Sequence, residues 1–177
     1  AAELITQLLD FSRRSHLKLS AAQANGVITD VRALLLASID PKVKISTNLR
    51  KDAWLGLIDP NQIEQVVMNL CVNAADALGE AGGTIKITSR NVTIALGEDG
   101  MPIDSNPGDY LRITVEDNGA GMTPEVQAKI FEPFFTTKEQ GKGTGLGLAT
   151  SFGIAKQLGG WIVCKSELGE GSRFELF

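Results

Sequence analysis

The sequence predicts an α+β fold, a mixed sheet covered on one face by helices, and three observations support it. Alternating apolar stretches read as strands: Val43, Ile45 and Thr47, then Tyr110 to Asp117, then Ser172 to Phe177. Longer stretches with helical spacing lie among them, above all from Asp59 to Leu78. The order mixes hairpin-like strand pairs with inserted helices, which is the pattern of one two-layer α+β sandwich.

Taken in order, Leu4, Leu8 and Phe11 fall at helical spacing, widened by Ile5 and Leu9, and end in Arg13 and Arg14, suited to a helix C-terminus. So short a helix needs a partner for its apolar face, and it reads as the tail of a longer one. Asn25 is expected to cap a helix that buries Ile28, Val31, Leu34 and Leu35 and ends near Asp40-Pro41. After the strand at Val43, Trp54 to Ile58 reads as another. Asp59-Pro60-Asn61-Gln62 then combines an N-cap, a proline at the first helical position and a glutamine at the third. Gly79, Gly82 and Gly83 stop that helix, and Ile85 and Ile87 begin a strand. Ala95 to Gly108 is a polar excursion, an exposed hairpin or loop. Tyr110 to Asp117 is a strand, and Thr123-Pro124 caps a short helix to Phe131. Leu148, Phe152, Ala155 and Leu158 mark the last helix, and Trp161 to Ser166 and Ser172 to Phe177 close as strands.

At 177 residues the chain accommodates one good-sized domain. A hydrophobic fraction of 43% and a mean hydropathy near zero describe a globular chain. No stretch approaches the roughly 18 apolar residues of a membrane span, and no signal peptide is expected. A net charge of −4 offers no basic footprint for nucleic acid. Cys71 and Cys164 lie far apart within apolar stretches, which reads as reduced core thiols and a cytosolic setting.

Three features do not suit a plain core. Gly141, Gly143, Gly145 and Gly147 stand at every second position ahead of a helical pattern. Such a run is either a flexible hinge or a loop bringing backbone N–H groups and a helix N-terminus up to phosphate. On the helix from Asp59, Gln65, Asn69, Asn73 and Asp76 form one stripe. That stripe is either a solvated edge or a set of amides that coordinate something; asparagine is a poor helix former, which favours the second reading. In the strand ending at Asp117, a period of two places the acid on the same side as Leu111, Ile113 and Val115. An inward carboxylate needs a donor, although Asp117-Asn118-Gly119 is also a turn signal. Gly121, two residues on, tilts the reading towards a ligand contact.

Together these runs resemble the ATP-binding catalytic domain of sensor histidine kinases, in the superfamily shared with gyrase, Hsp90 and MutL. Gln65 to Ala77 is similar to that family's N box, and Asp117-Asn118-Gly119-Ala120-Gly121 to its first glycine box. Phe131-Glu132-Pro133-Phe134-Phe135 with Thr136-Thr137-Lys138 resembles the F box, Gly141 to Leu148 the second glycine box, and Gly169 to Phe174 the closing G-x-G-[ST]-x-F element. The resemblance implies a Bergerat-type sandwich with a mixed sheet of about five strands under three helices. It implies residues 1–16 as the end of a dimerisation and phosphoacceptor helix, and 17–177 as the ATP-binding domain.

It also implies roles. Asp117 accepts from the adenine amine and rejects guanine, and Ser172 holds a water beside it. Asn73 ligates Mg²⁺, with Asn69 near the phosphates and metal shell. The amides of Gly143, Gly145, Leu146 and Gly147 meet phosphate, and Lys138 and Lys142 add mobile charge. Phe131 to Thr144 is a lid over the nucleotide. Gly119, Gly121, Phe131, Thr144 and Leu148 complete the implied contacts. Asp76 is also counted among the implied nucleotide-binding residues, although it stands where some relatives carry a basic residue. Hydrolysing members have a glutamate in place of Asn69, and a neutral amide takes no proton from water. The implied reaction is therefore transfer to a protein histidine, for relay to a response regulator, rather than hydrolysis. The rival reading, a nucleotide-gated interaction module, needs that glutamate and a transducer domain. His16 is the only histidine, and it lacks the acidic neighbour and nearby proline expected of an acceptor. The acceptor is thus expected upstream of Ala1, in a homodimer built on the dimerisation helices.

Overall fold

The computed structural model describes residues 18–95, 97, 101–102, 105–139 and 143–177. The expected helix over 1–16, His16, Gly141 and Lys142 lie outside them.

In chain order the elements are β1 (Ser20–Ala22), α1 (Ala24–Ser38), β2 (Val43–Asn48), β3 (Gly56–Ile58), α2 (Pro60–Leu78), β4 (Gly83–Ile94), β5 (Gly108–Asp117), α3 (Pro124–Gln127), α4 (Gly147–Gln157), β6 (Ile162–Glu167) and β7 (Gly171–Leu176). Five strands form one sheet in the order β2-β4-β5-β7-β6, with β2 parallel to β4 and the other pairs antiparallel. The mixed sheet is therefore as expected. Ile85, Ile87, Ile113, Val115, Phe174 and Leu176 share the side that packs on α1, α2 and α4. From the helices come Ile28, Val31 and Leu35, then Val66, Val67, Leu70 and Cys71, then Ile154 and Ala155. Burying one such aliphatic side chain stabilises by about 1.5–3 kcal/mol, so this layer interface dominates the energetics.

The opposite side carries a smaller cluster. Val92, Ile94, Tyr110 and Val163 surround Trp161 and Phe177, whose rings stack at 5.1 Å, while Tyr110 meets Trp161 edge-on at 4.7 Å.

Several local expectations need correction. α1 begins at Ala24, so Asn25 lies within its first turn and does not cap it. Its amide instead donates to the Arg50 carbonyl at 2.8 Å and accepts from Ser89 Oγ at 2.8 Å, tying α1 to β4. Ser89 is fully buried, so this tertiary polar link outweighs local capping. Leu34 is 52% exposed, because the buried stripe of α1 runs through Ile28, Val31 and Leu35. β3 begins at Gly56 and leaves the main sheet to pair with β1, a strand too short to show a period. α3 stops at Gln127, short of Phe131, and turns follow it. Capping by Thr123 is as expected, its hydroxyl accepting from Val126 N–H at 3.4 Å. The excursion after Ala95 joins β4 to β5, which pair from Ile94 opposite Gly108; part of it lies outside the described residues.

α2 begins where the sequence places it. Asp59 accepts from Asn61 N–H at 3.1 Å and also from Lys18 N–H at 3.0 Å, pinning the entering chain to the helix start.

Candidate functional site

The end of β5, the outward stripe of α2 and the N-terminus of α4 converge on one side of the sheet. β5 brings Asp117 there on the same face as Ile113 and Val115, only 6% exposed. Its carboxylate accepts from Gly119 N–H at 2.9 Å. Burial pushes this carboxyl above its ordinary value, with the backbone N–H groups of Gly119 and Ser172 opposing the shift. Ser172 stands opposite it on β7, and its hydroxyl lies 3.0 Å from that of Ser166 on β6. Ser166 was not expected here; the register pairing it with Ser172 is not visible in the sequence.

The glycines around Asp117 serve the protein's own backbone. A Cβ on Gly121, whose φ is 65°, would lie 1.9 Å from the Glu167 carbonyl oxygen. A Cβ on Gly119 would lie 2.6 Å from the carbonyl oxygen of Ala77, which accepts from Ala120 N–H at 3.0 Å. Close approach thus seats the end of β5 against the last turn of α2, next to Asp76.

Along α2, Gln65 is exposed, while Asn69, Asn73 and Asp76 make tertiary contacts. Asn69 Nδ2 donates to the Gly147 carbonyl at 3.3 Å and to Ser151 Oγ at 3.4 Å, holding the first turn of α4. Ser151 is fully buried and was not foreseen, since a serine on an apolar stripe carries no sequence signal. Asn73 Oδ1 accepts from Lys138 Nζ at 3.2 Å, and the same ammonium pairs with Asp76 at 2.5 Å.

α4 opens without a side-chain cap at Leu146, leaving first-turn N–H groups and the positive end of the helix dipole available to an anion. Thr144 Oγ1 accepts from Leu146 N–H at 3.4 Å. Gly145 has φ 66°, and a Cβ there would lie 2.4 Å from the Phe134 carbonyl carbon. Its own carbonyl accepts from Phe134 N–H at 2.9 Å, so the segment carrying Lys138 is tied to the start of α4. Phe131 packs on Phe152 at 5.1 Å, whereas Phe134 is 58% exposed. Gly143 lies beside Lys138, and Leu148 packs against the core.

A cleft of about 290 Å³ opens at the ends of β5, β7 and β6, with Asp117, Ser166, Gly171 and Ser172 in its wall. It does not reach Asn69, Asn73 or Lys138, so the acid borders this cleft apart from the amide stripe. Among the described residues no group of three or more His, Cys, Asp or Glu side chains forms a metal cage. Asn73 Oδ1 is a hard amide oxygen that already accepts from a cation, the kind of donor a divalent metal could also use. No helix among the described residues is long and apolar enough to cross a membrane.

The family model for histidine kinase-, DNA gyrase B-, and HSP90-like ATPases matches residues 58–177. Sensor kinase CckA of Brucella abortus (strain 2308) is 45% identical over 177 residues, covering 100% of the chain and 19% of the relative. Full-length ShkA in complex with AMPPNP is similar at TM-score 0.77 and 25% identity, over 98% of the chain and 34% of that protein. ThkA in complex with the response regulator TrrA is similar at TM-score 0.72 and 26% identity, over 98% of the chain and 45% of ThkA. The chain thus spans about a fifth of CckA and about a third of a ZraS relative.

Proposed function

The chain belongs to the histidine kinase-, DNA gyrase B-, and HSP90-like ATPase family, and from that premise we propose that residues 17–177 are the catalytic domain of a protein-histidine kinase. It binds Mg-ATP and passes the γ-phosphate to a histidine on a preceding dimerisation helix, for relay to a response-regulator aspartate. The likeness to kinases along the whole chain supports this reading, and so does Asn69, an amide where a hydrolase needs a base.

Asp117 accepts from the adenine exocyclic amine, a charge-assisted bond worth about 1.5–3 kcal/mol net. Ser172, beside it, holds a bridging water. Guanine presents an oxygen at that position, and two acceptors repel in a desolvated site. The first-turn amides of α4, with those of Gly143, Gly145, Leu146 and Gly147, receive the phosphates. Asn69 orients that turn through Gly147. Asn73 holds Mg²⁺ through its amide oxygen, and the metal, when bound, screens phosphate charge during transfer. Lys138, and Lys142 beyond it, bring further positive charge as the Phe131 to Thr144 lid closes.

The observation that carries the proposal is Asp117, buried at a strand end with its carboxylate accepting from backbone N–H groups, while Ser172 opposite it in the ladder pairs with Ser166. Calorimetric titration with ATP and GTP tests it. Tight binding of ATP with GTP disfavoured is the expected outcome, and equal affinities would sink it. [γ-³²P]ATP should leave this chain unlabelled and should label a version extended upstream through the acceptor histidine.

A further inference from the structure

Lys138, the positive charge expected near the phosphates, is held by partners that the sequence does not disclose. Asp76, an acid at the end of the amide stripe, is 49% exposed at the side chain and paired with Lys138. Asn73 and Asp76 lie three apart on α2, so they share one face. The Lys138 ammonium sits across both, its side chain 33% exposed.

We propose that Asp76 is a positioning residue: it touches no phosphate itself, but holds Lys138 over the Asn73 oxygen until nucleotide and metal arrive. This rests on the assignment of Asn73 and the lid to Mg-ATP given above. Two physical consequences follow. The ammonium fills the place of a cation on Asn73 Oδ1, so metal must displace it rather than enter a vacant position. Lys138 also neutralises Asp76, which would otherwise set a bare carboxylate one turn from the incoming phosphates, where like charges repel. Charge delivery and lid position thereby become one event, because the charge belongs to the lid and not to the helix.

The first test needs no nucleotide. Hydrogen exchange of the amides over residues 134–139 is compared between the wild type, Asp76→Asn, Asp76→Glu and Lys138→Met. An exposed ion pair of this kind predicts exchange about two- to fivefold faster in Asp76→Asn and Lys138→Met, with near-wild-type rates in Asp76→Glu. The double variant Asp76→Asn/Lys138→Met should exchange no faster than either single one. Unchanged exchange in Asp76→Asn overturns the proposal. The second test titrates Mg²⁺ at a fixed subsaturating ATP concentration. Asp76→Asn should lower the Mg²⁺ needed for half-maximal binding, since the competing ammonium is no longer anchored. A higher requirement would make Asp76 an outer partner of the metal and overturn the proposal. Failure of the wild type to bind ATP would refute the functional assignment alone, leaving the exchange result to decide the Asp76–Lys138 link.

Discussion

Asp117 and Ser172 stand opposite each other in the β5–β7 ladder, and neither is more than 7% exposed. A strand end normally turns its polar groups to water; here both stay on the helix-covered side. That arrangement keeps a carboxylate poorly solvated, which costs folding free energy and sharpens recognition of a donor.

Replacing Asp117 by Asn separates the two effects. Affinity for ATP should fall about tenfold to a hundredfold, the worth of a charge-assisted hydrogen bond. Stability should not fall with it. A carboxyl raised by burial contributes stability below its ordinary value of 3.8 and loses it as the pH rises through the folded-state value. At pH 7 the charged form is therefore the unfavourable one, and the variant should melt no lower than the wild type. Wild-type ATP affinity should also weaken as the pH drops towards that raised value, a slope absent from the variant. Melting curves and titrations at several pH values check each part.

Three glycines make a graded series for thermal unfolding. Gly121→Ala meets the Glu167 carbonyl at 1.9 Å in a left-handed conformation, and a loss of at least about 2 kcal/mol is expected. Gly169 shares a positive φ but has no atom near its Cβ position, so alanine there should cost about 1 kcal/mol. Gly26, exposed in α1 with open space around it, should gain about 0.5–1 kcal/mol as alanine. Equal losses at Gly121 and Gly169 would show that conformation alone, and not the approach to Glu167, requires glycine.

The same contrast separates what the sequence discloses from what it conceals. Local chemistry was legible: Asp59-Pro60 starts α2, the Gly79 region ends it, and a period of two turns Asp117 inward. Tertiary partners were not. Asn25 has the composition of a cap, yet a buried serine on β4 claims its side chain. Trp54 to Ile58 looks like any short strand, and only the presence of β1 draws Gly56–Ile58 out of the main sheet. Gly121 reads in the sequence as a ligand contact, whereas what lies against its Cβ position in the fold is the Glu167 carbonyl. The Asn69, Asn73 and Asp76 stripe was visible on the helix, whereas Gly147, Ser151 and Lys138, which meet it, lie more than sixty residues away.

Asn69→Asp should destabilise the nucleotide-free chain. The amide donates to Gly147 and Ser151, and a carboxylate in its place confronts the Gly147 carbonyl with another acceptor. About 1–3 kcal/mol is expected, most of it from setting a carboxylate against that carbonyl, which keeps its 2.9 Å bond from Ser151 Oγ. Urea unfolding measures the loss, which should spread to faster hydrogen exchange in the first turn of α4. Unchanged exchange there would mean that the amide contact does not hold the helix.

The two thiols provide the last prediction. Both are free, and burial pushes each up to about 12. At pH 8 only roughly one molecule in ten thousand carries the reactive thiolate at either position, so iodoacetamide should label the folded chain very slowly. The causes differ between the two: burial alone acts on Cys71, while the Asp117 carboxylate adds to burial at Cys164. Asp117→Asn should therefore speed labelling of Cys164 by a few-fold, the scale of a nearby like charge, and leave Cys71 unchanged. Peptide mass spectrometry resolves the two sites. Equal acceleration at both would indicate a general loosening of the core instead of a charge removed beside Cys164.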